Sequence, residues 1–361
     1  MESIARITGG VDTHLDVHVV AALDDGGGLL GTVSFPADPT GYGALLAWLR
    51  SFGELVLVGV EGTGSYGAGL ARLLHRSGVA VVEVDRPNRA DRRKRGKSDT
   101  LDAIAAARAA HAGTATGRPK TRDGNIESIR VLRTARQSAH KARTQAINQI
   151  RSLVCTAPDE LREKLRHLTQ VDLVRTCAGL RPSATFDVTT ATKASLRLLA
   201  RRVHELEAEI DELNRILKPL VTQTAPALLS HYGVGTDTAG ALLVAVGDNP
   251  DRLRSEAAFA RLCGVAPIPA TSGKTQNRHR LHRGGDRHAN SALWRIVMTR
   301  MSGDPRTKAY IARRTDKQLT TIEAIRCLIG GLLGCGRFGA GRGFPVVPGD
   351  GLVAAPFRRP V

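Results

Sequence analysis

Four acidic residues stand where a fold could gather them. Asp12 follows the apolar "ITGGV", Glu61 ends "LVLVGV", and Asp99 and Asp102 open "DTLDAIAAARAA". At i and i+3, Asp99 and Asp102 share one face of a helix. Gathered carboxylates repel and lift one another's pKa unless a cation neutralises them. Mg²⁺ prefers oxygen ligands. Two such ions about 3.5–4 Å apart can clamp an in-line phosphoryl displacement. Singly, each acid has an ordinary reading too. Asp12 suits a turn, Glu61 suits a cap on the helix after "GTGSYG", and Asp99 is favourable charge at a helix N-terminus. His14, Asp16 and His18 read as neighbours of the set, not ligands, because they alternate along the next strand.

A second concentration of chemistry lies in "PATSGKTQNRHRLHRGGDRH". Ser272 is surrounded by Lys274, Arg278, Arg280, Arg283 and Arg287, with no acid before Asp286. Such a cluster grips phosphates and can steady the charge of a phosphoryl transition state. A serine hydroxyl is a weak nucleophile until its surroundings activate it. By chemistry alone, the Thr-Ser-Gly stretch is a turn on a basic loop. His279, His282 and His288 lack cysteine partners and complete no zinc set, which leaves phosphate contact. A second basic run, "RPNRADRRKRGK", places Arg92, Arg93, Lys94, Arg95 and Lys97 just before Asp99. "HYGVGTDTAGALLV" is similar to a helix-hairpin-helix, whose glycine turn offers N–H groups to phosphate, and equally to an ordinary turn between packed helices.

The elements that must position these groups are readable from periodicity. Apolar runs on either side of "DDGGG" give two or three antiparallel strands. Asp38-Pro39 starts a helix, "ELVLVGVEGTG" is a buried strand, "SYGAGLARLLHRSG" a helix closed by Gly78, and "VAVVEVD" another strand. Continuous apolar strands separated by helices imply a sheet covered on both faces. Two long segments follow, "IESIRVLRTARQSAHKARTQAINQIRSLVC" and "ASLRLLARRVHELEAEIDELNRILKPLV". In the second, Leu199, Val203, Leu206, Ile210, Leu213 and Leu217 form a seam that packs within the chain or on a second subunit. "SEAAFARLCGV" gives a short helix, and beyond about Gly330 the chain is too rich in Gly and Pro for a packed element.

Composition agrees with a polyanionic partner. The 361 residues carry 52 Lys and Arg against 34 Asp and Glu, a formal charge of +18, and the charge is clustered. Aromatic content of 4% gives little support to base stacking as the main mode of binding. Five cysteines without a CxxC pair suit reduced thiols. The N-terminus lacks the form of a signal peptide and no run is long enough to span a membrane, so a cytoplasmic protein is expected.

"GGVDTHLDVH", "VGVEGTGSYG" and "RRKRGKSDTLDA" together resemble the acidic set of the DEDD-type insertion-sequence transposases, which include the pilin-gene invertases. "GVAPIPATSGKTQNRHRLHRGGDRHANSALW" is similar to that family's second half. The resemblance runs in order over about residues 6 to 330. It implies an α/β, RNase H-like (RuvC-like) catalytic domain over 1–115, a helical coiled-coil region over 116–225, and a mainly α transposase domain over 226–335, with an irregular tail over 336–361. It implies that Asp12, Glu61, Asp99 and Asp102 bind Mg²⁺, two ions per site, and that Ser272 attacks DNA to give a phosphoserine intermediate. It also implies donor and target DNA, a guide RNA encoded in the element, and a homo-oligomer, dimer or tetramer, in which the serine can meet the acids of another subunit. Two alternatives stand beside it. One is a structure-specific nuclease of junction-resolvase type that uses the acids alone. The other is an inactive nucleic-acid-binding relative.

Overall fold

The computed structural model describes residues 5–84, 98–184, 187–253, 255–269, 271, 279–282, 284–316 and 320–334. The chain divides into two compact units interleaved in sequence. One comprises residues 1–127, 245–290 and 320–361, the other 128–244 and 291–319.

The first unit is α/β. Among the described residues its main sheet has five strands, β1 (Arg6–Thr13), β2 (Val17–Leu23), β3 (Leu29–Pro36), β4 (Glu54–Glu61) and β5 (Ala80–Val84). They lie in the order β3-β2-β1-β4-β5. The meander β1-β2-β3 is antiparallel, and β4 and β5 add in parallel to β1. Between β2 and β3, the Asp24 carboxylate accepts from the N–H groups of Gly26 and Gly28, which closes the "DDGGG" turn. Helix α1 (Pro39–Arg50) starts where Asp38 accepts from Gly41 N–H at 2.7 Å. Helix α2 (Ala68–Arg76) begins three residues later than "SYGAGLARLL" suggests. The cause is the glycine run before it: Gly62 has φ of 66°, and Gly62–Gly67 is spent on turns. Leu45, Leu49, Leu70 and Leu74 from these helices are fully buried with Ile7, Val11, Val58 and Val60 of the sheet, each such side chain worth about 1.5–3 kcal/mol of burial.

Helix α3 (Asp99–His111) covers the opposite face, where Ala103 and Ala107 pack with Val19, Ala21 and Leu23. Later chain completes the unit: a short helix at Glu256–Leu262, and the two-stranded ribbon β6 (Pro267–Pro269) and β7 (His279–Leu281).

The second unit is helical. Helix α4 (Asn125–Cys155) and helix α7 (Val188–Thr224) are its long members, with α5 (Asp159–Leu165) and α6 (Gln170–Ala178) between them. Arg136 donates to Asn214 and Arg143 to Glu207, both at 2.6 Å. Seven residues forward in α4 match seven back in α7, so the helices run antiparallel with heptad spacing. Leu196, Ala200 and Val203 are buried with Ala146, Ile147, Ile150 and Val154. The N-terminal part of the α7 seam is thus buried within the chain, in a core shared with α4 and with Leu173, Val174 and Cys177 of α6, and Leu206 and Leu213 are half-buried further along.

Candidate metal centre and nucleic-acid interface

The acidic centre is built by the parallel strand pair and one helix start. Val11 pairs with Val60, which brings Asp12 and Glu61 to adjacent carboxyl ends of β1 and β4. Ligands in such sheets collect at these ends. Both acids are buried, 5% and 7% exposed. Thr13 Oγ1 donates to the Glu61 carbonyl at 2.8 Å, locking the strand ends together. On the helix side Ser98 is the N-cap residue, Asp99 and Asp102 lie in the first turn, and Asp102 N–H donates to the Ser98 carbonyl.

His14 joins the strand to the helix. Its Nε2 lies 3.1 Å from Asp12 Oδ2 and 3.4 Å from Asp99 Oδ1. One donor atom from each of Asp12, His14 and Asp99 falls within 4.8 Å of the others. Burial pushes the Asp12 carboxyl up, the nearby Asp102 and Asp99 charges push the same way, and His14 opposes them. Such a donor set fits a divalent cation, whose charge removes the repulsion between the acids. Asp102 is within electrostatic reach of Asp12, and Glu61 lies at the neighbouring strand end; neither belongs to the tight three-residue group.

The sequence reading set His14 aside, and the structure puts it at the centre. The signal was available: residues i and i+2 of an extended segment share a side, so Asp12 and His14 point together before the chain turns at Leu15 and Asp16. His18 does belong elsewhere. It is buried, its ring stacks on Tyr42 at 5.3 Å, and burial lowers its pKa.

Of the basic residues singled out in the sequence, Arg92, Arg93, Lys94, Arg95 and Lys97 lie outside the described residues, as do Ser272, Lys274, Arg278 and Arg283. Arg280 is on β7, and Ser272 belongs to the segment joining β6 to β7. Arg287 is exposed at the start of the helix Arg287–Gly303, where Asp286 accepts from the N–H groups of His288 and Ala289. The ribbon of β6 and β7 and the acidic sheet belong to one compact unit.

Two further charged groups escaped the sequence reading. In the helical unit, Asp237 accepts from Arg133, Arg136 and Arg295. Burial pushes its carboxyl up, but the arginines outweigh this and hold it below the usual value. It lies inside the "GVGTDTAG" segment, where Gly233 has φ of 84° and Gly235 N–H already donates to Thr238 Oγ1. In the α/β unit, burial, then the charge of Arg252, brings Lys120 down to about 8. Spacing gives no hint of either, because Arg133 and Arg136 lie over a hundred residues from Asp237, and Arg252 as far from Lys120.

Among the described residues, no helix is long and apolar enough to cross a membrane. Residues 9–157 match the transposase family DEDD_Tnp_IS110, and residues 225–312 match the family described as Transposase IS116/IS110/IS902. The chain is 31% identical over 144 residues to the "Insertion element IS110 uncharacterized 43.6 kDa protein" of Streptomyces coelicolor. That similarity covers 40% of this chain and 34% of the relative's length, so the match spans about a third of that curated relative.

Proposed function

Because this chain belongs to the IS110-type family of DEDD insertion-sequence transposases, we propose that it is a DNA transposase whose acidic centre is the seat of strand cleavage and exchange. The observation that carries this reading is the meeting of Asp12 and Asp99 on His14 at the carboxyl end of β1. The strand order supports an RNase H-like, RuvC-like fold for the α/β unit. The linear division at 115, 225 and 335 is proposed as one of sequence modules, with α4 and α7 forming the coiled-coil region.

In this reading Asp12, Glu61, Asp99 and Asp102 hold Mg²⁺, two ions per site. When bound, the metal neutralises the carboxylates and draws electron density from the phosphate. Ser272 Oγ bonds to phosphorus, and the phosphorus–oxygen bond to one deoxyribose breaks. The serine proton leaves, and the departing sugar oxygen gains one as a free hydroxyl. The phosphoserine ester keeps the bond energy, so a hydroxyl of another strand can displace the serine with no external fuel. Lys274, Arg278, Arg280, Arg283 and Arg287, with Arg92, Arg93, Lys94, Arg95 and Lys97, hold the backbones. A guide RNA encoded in the element pairs with donor and target DNA, which leaves sequence reading to base pairing. The protein works as a homo-oligomer, in the cytoplasm and on the nucleoid.

The test uses nicked duplexes spanning the ends of the element that encodes the chain, with Mg²⁺. A denaturation-resistant protein–DNA species accumulates in wild type and is absent in Ser272→Ala, while Thr271→Ala and Ser291→Ala retain it. Asp102→Asn abolishes cleavage with the fold intact, since Asn serves a helix start about as well as Asp. Free ends without an adduct, or full cutting by Ser272→Ala, would transfer the reading to a resolvase-like nuclease.

A further inference from the structure

We propose that Arg122 is a phosphate-binding residue beside the acidic centre, placed against the turn that follows Glu61. The inference rests on the transposase reading above and assigns that site a further contact with the nucleic-acid backbone.

Among the described residues, Arg122 is the one non-glycine with positive φ, at 54°. That conformation is strained for a residue with a side chain and persists where the surroundings enforce it. Here they do. Upstream, Glu83 N–H donates to the Gly117 carbonyl at 2.7 Å, and Asn249 Nδ2 donates to the Pro119 carbonyl at 2.8 Å. Downstream, the Asp248 carboxylate accepts from Ile126 N–H and Glu127 N–H. Arg122 is the bend between these clamps.

The bend sends its side chain to the active end of the sheet. Arg122 Nη2 lies 3.1 Å from where a Cβ on Gly64 would be. Gly64 belongs to the turn that starts directly after Glu61, where Ser65 N–H donates to the Gly62 carbonyl at 2.8 Å. Glycine at 64 gives the guanidinium room against the backbone.

Among the described residues no hydrogen bond holds the guanidinium there. It has five donors, and its side chain is 19% exposed. Its charged neighbour is Glu127, whose Oε1 is 3.8 Å from Nη1, too far for a hydrogen bond. Among the described residues nothing accepts from it. Arg252, close by in the same unit, is the contrast: its Nε, Nη1 and Nη2 end on the carbonyls of Val246, Arg118 and Ala245. Arg252 ties loops together, whereas Arg122 presents an open fork. Enclosed polar groups are normally satisfied, and an arginine fork matches the oxygens of a phosphate. A fork left open among the described residues, against Gly64 three residues past the candidate ligand Glu61, therefore fits a nucleic-acid phosphate.

The test is the salt dependence of binding. A fluorescein-labelled duplex of about 30 base pairs is titrated with the full chain, without Mg²⁺, between about 50 and 200 mM NaCl. Wild type, engaging about six phosphates, loses around three decades of affinity over this range. Arg122→Gln binds several-fold more weakly at low salt, and its log–log slope falls by about 0.9, the loss of one phosphate. Arg122→Lys keeps the charge and the slope, and Arg252→Gln lowers the melting temperature with the slope unchanged. Should Arg122→Gln not fold, Gly64→Ala, which crowds Nη2, is read for the same slope loss. A folded Arg122→Gln, or in its place Gly64→Ala, with the wild-type slope overturns the inference alone. Wild type without salt-dependent binding overturns the transposase reading as well.

Discussion

Gly10 on β1 and Ala107 on α3 meet backbone to backbone. A Cβ on Gly10 would fall on the amide nitrogen of Ala107 and the carbonyl of Ala103. Gly59 on β4 makes the same approach, to the Ala106 carbonyl at 2.7 Å from its would-be Cβ. The alanines of "AIAAARAA" thus rest on a floor of glycine, at a distance no side chain permits. This closeness aims the first turn of α3, with Asp99 and Asp102, at the strand ends that carry Asp12 and Glu61.

Gly10→Ala should therefore act on both stability and the metal centre. The new methyl meets backbone rather than a movable side chain, so α3 must shift as a body. Overpacking of this kind costs about 1–3 kcal/mol, occasionally more. The expected result is a lower melting temperature and loss of any stabilisation by Mg²⁺. Gly43→Ala, where a Cβ meets nothing within 4 Å, is the control. Equal melting curves for the two variants would contradict the helix–sheet contact.

Asp12 makes a second prediction, about metal removal. In the metal-free protein its carboxylate is buried and repelled by Asp99 and Asp102, with His14 in partial compensation. Asp12→Asn removes the charge and keeps an oxygen for His14. Metal-free protein should then melt about 2–4 °C higher than wild type, the equivalent of roughly 1 kcal/mol in a chain of this size. Saturating Mg²⁺ should reverse the order, raising wild type and leaving the variant unmoved. A variant that melts lower without metal would show that Asp12 is a structural acid.

The meander, the buried strands and the long helices were legible because each rests on a local pattern: alternation, turn residues, or apolar threes and fours. The placing of Asp12 and Glu61 at strand ends and of Asp99 and Asp102 in a first helical turn was legible because these are local features too. His14 was missed for a local reason, the geometry of residues two apart where a strand gives way to a turn. Asp237, Arg122 and the return of residues 245–290 to the unit of the sheet were not legible at all. They depend on contacts made more than a hundred residues away along the chain. The seam of α7 stood between, since its apolar spacing showed that something covers it, and the partner emerges only from the Arg143–Glu207 and Arg136–Asn214 pairs.

That covering yields a third prediction. Val203 is buried in the core that α7 shares with α4 and α6 of its own chain, so Val203→Asp should unfold the helical unit, at a cost of several kcal/mol for an unpaired buried charge. The double variant Leu206→Asp, Leu213→Asp lies at the margin of the seam and should remain folded. Light scattering on that variant then reads assembly directly. A drop in mass with intact helicity would assign the margin of α7 to a contact between subunits. An unchanged mass would leave the seam covered within the chain.

The last prediction concerns acid. Asp237 accepts from three arginines, of which Arg133 is buried and Arg295 half exposed. Burial alone would raise its carboxyl, but the arginine charges and hydrogen bonds prevail, and the folded-state pKa lies below the unfolded one. A carboxyl depressed on folding contributes stability that is fully present above its unfolded value. The contribution is lost as pH falls through the ordinary carboxylate range and then through the lower folded value. Wild type should thus lose stability along an acid limb below about pH 4. Asp237→Asn removes this group's part of the limb and lowers stability at neutral pH. Leaving Arg133 enclosed without its carboxylate costs about 3–5 kcal/mol in fully buried pairs, and less here because Asp237 is partly open to solvent. Urea titrations of both proteins at several pH values decide the matter. The gap between them should be widest near pH 7 and close towards pH 2, and a gap independent of pH would mean that Asp237 acts through packing alone.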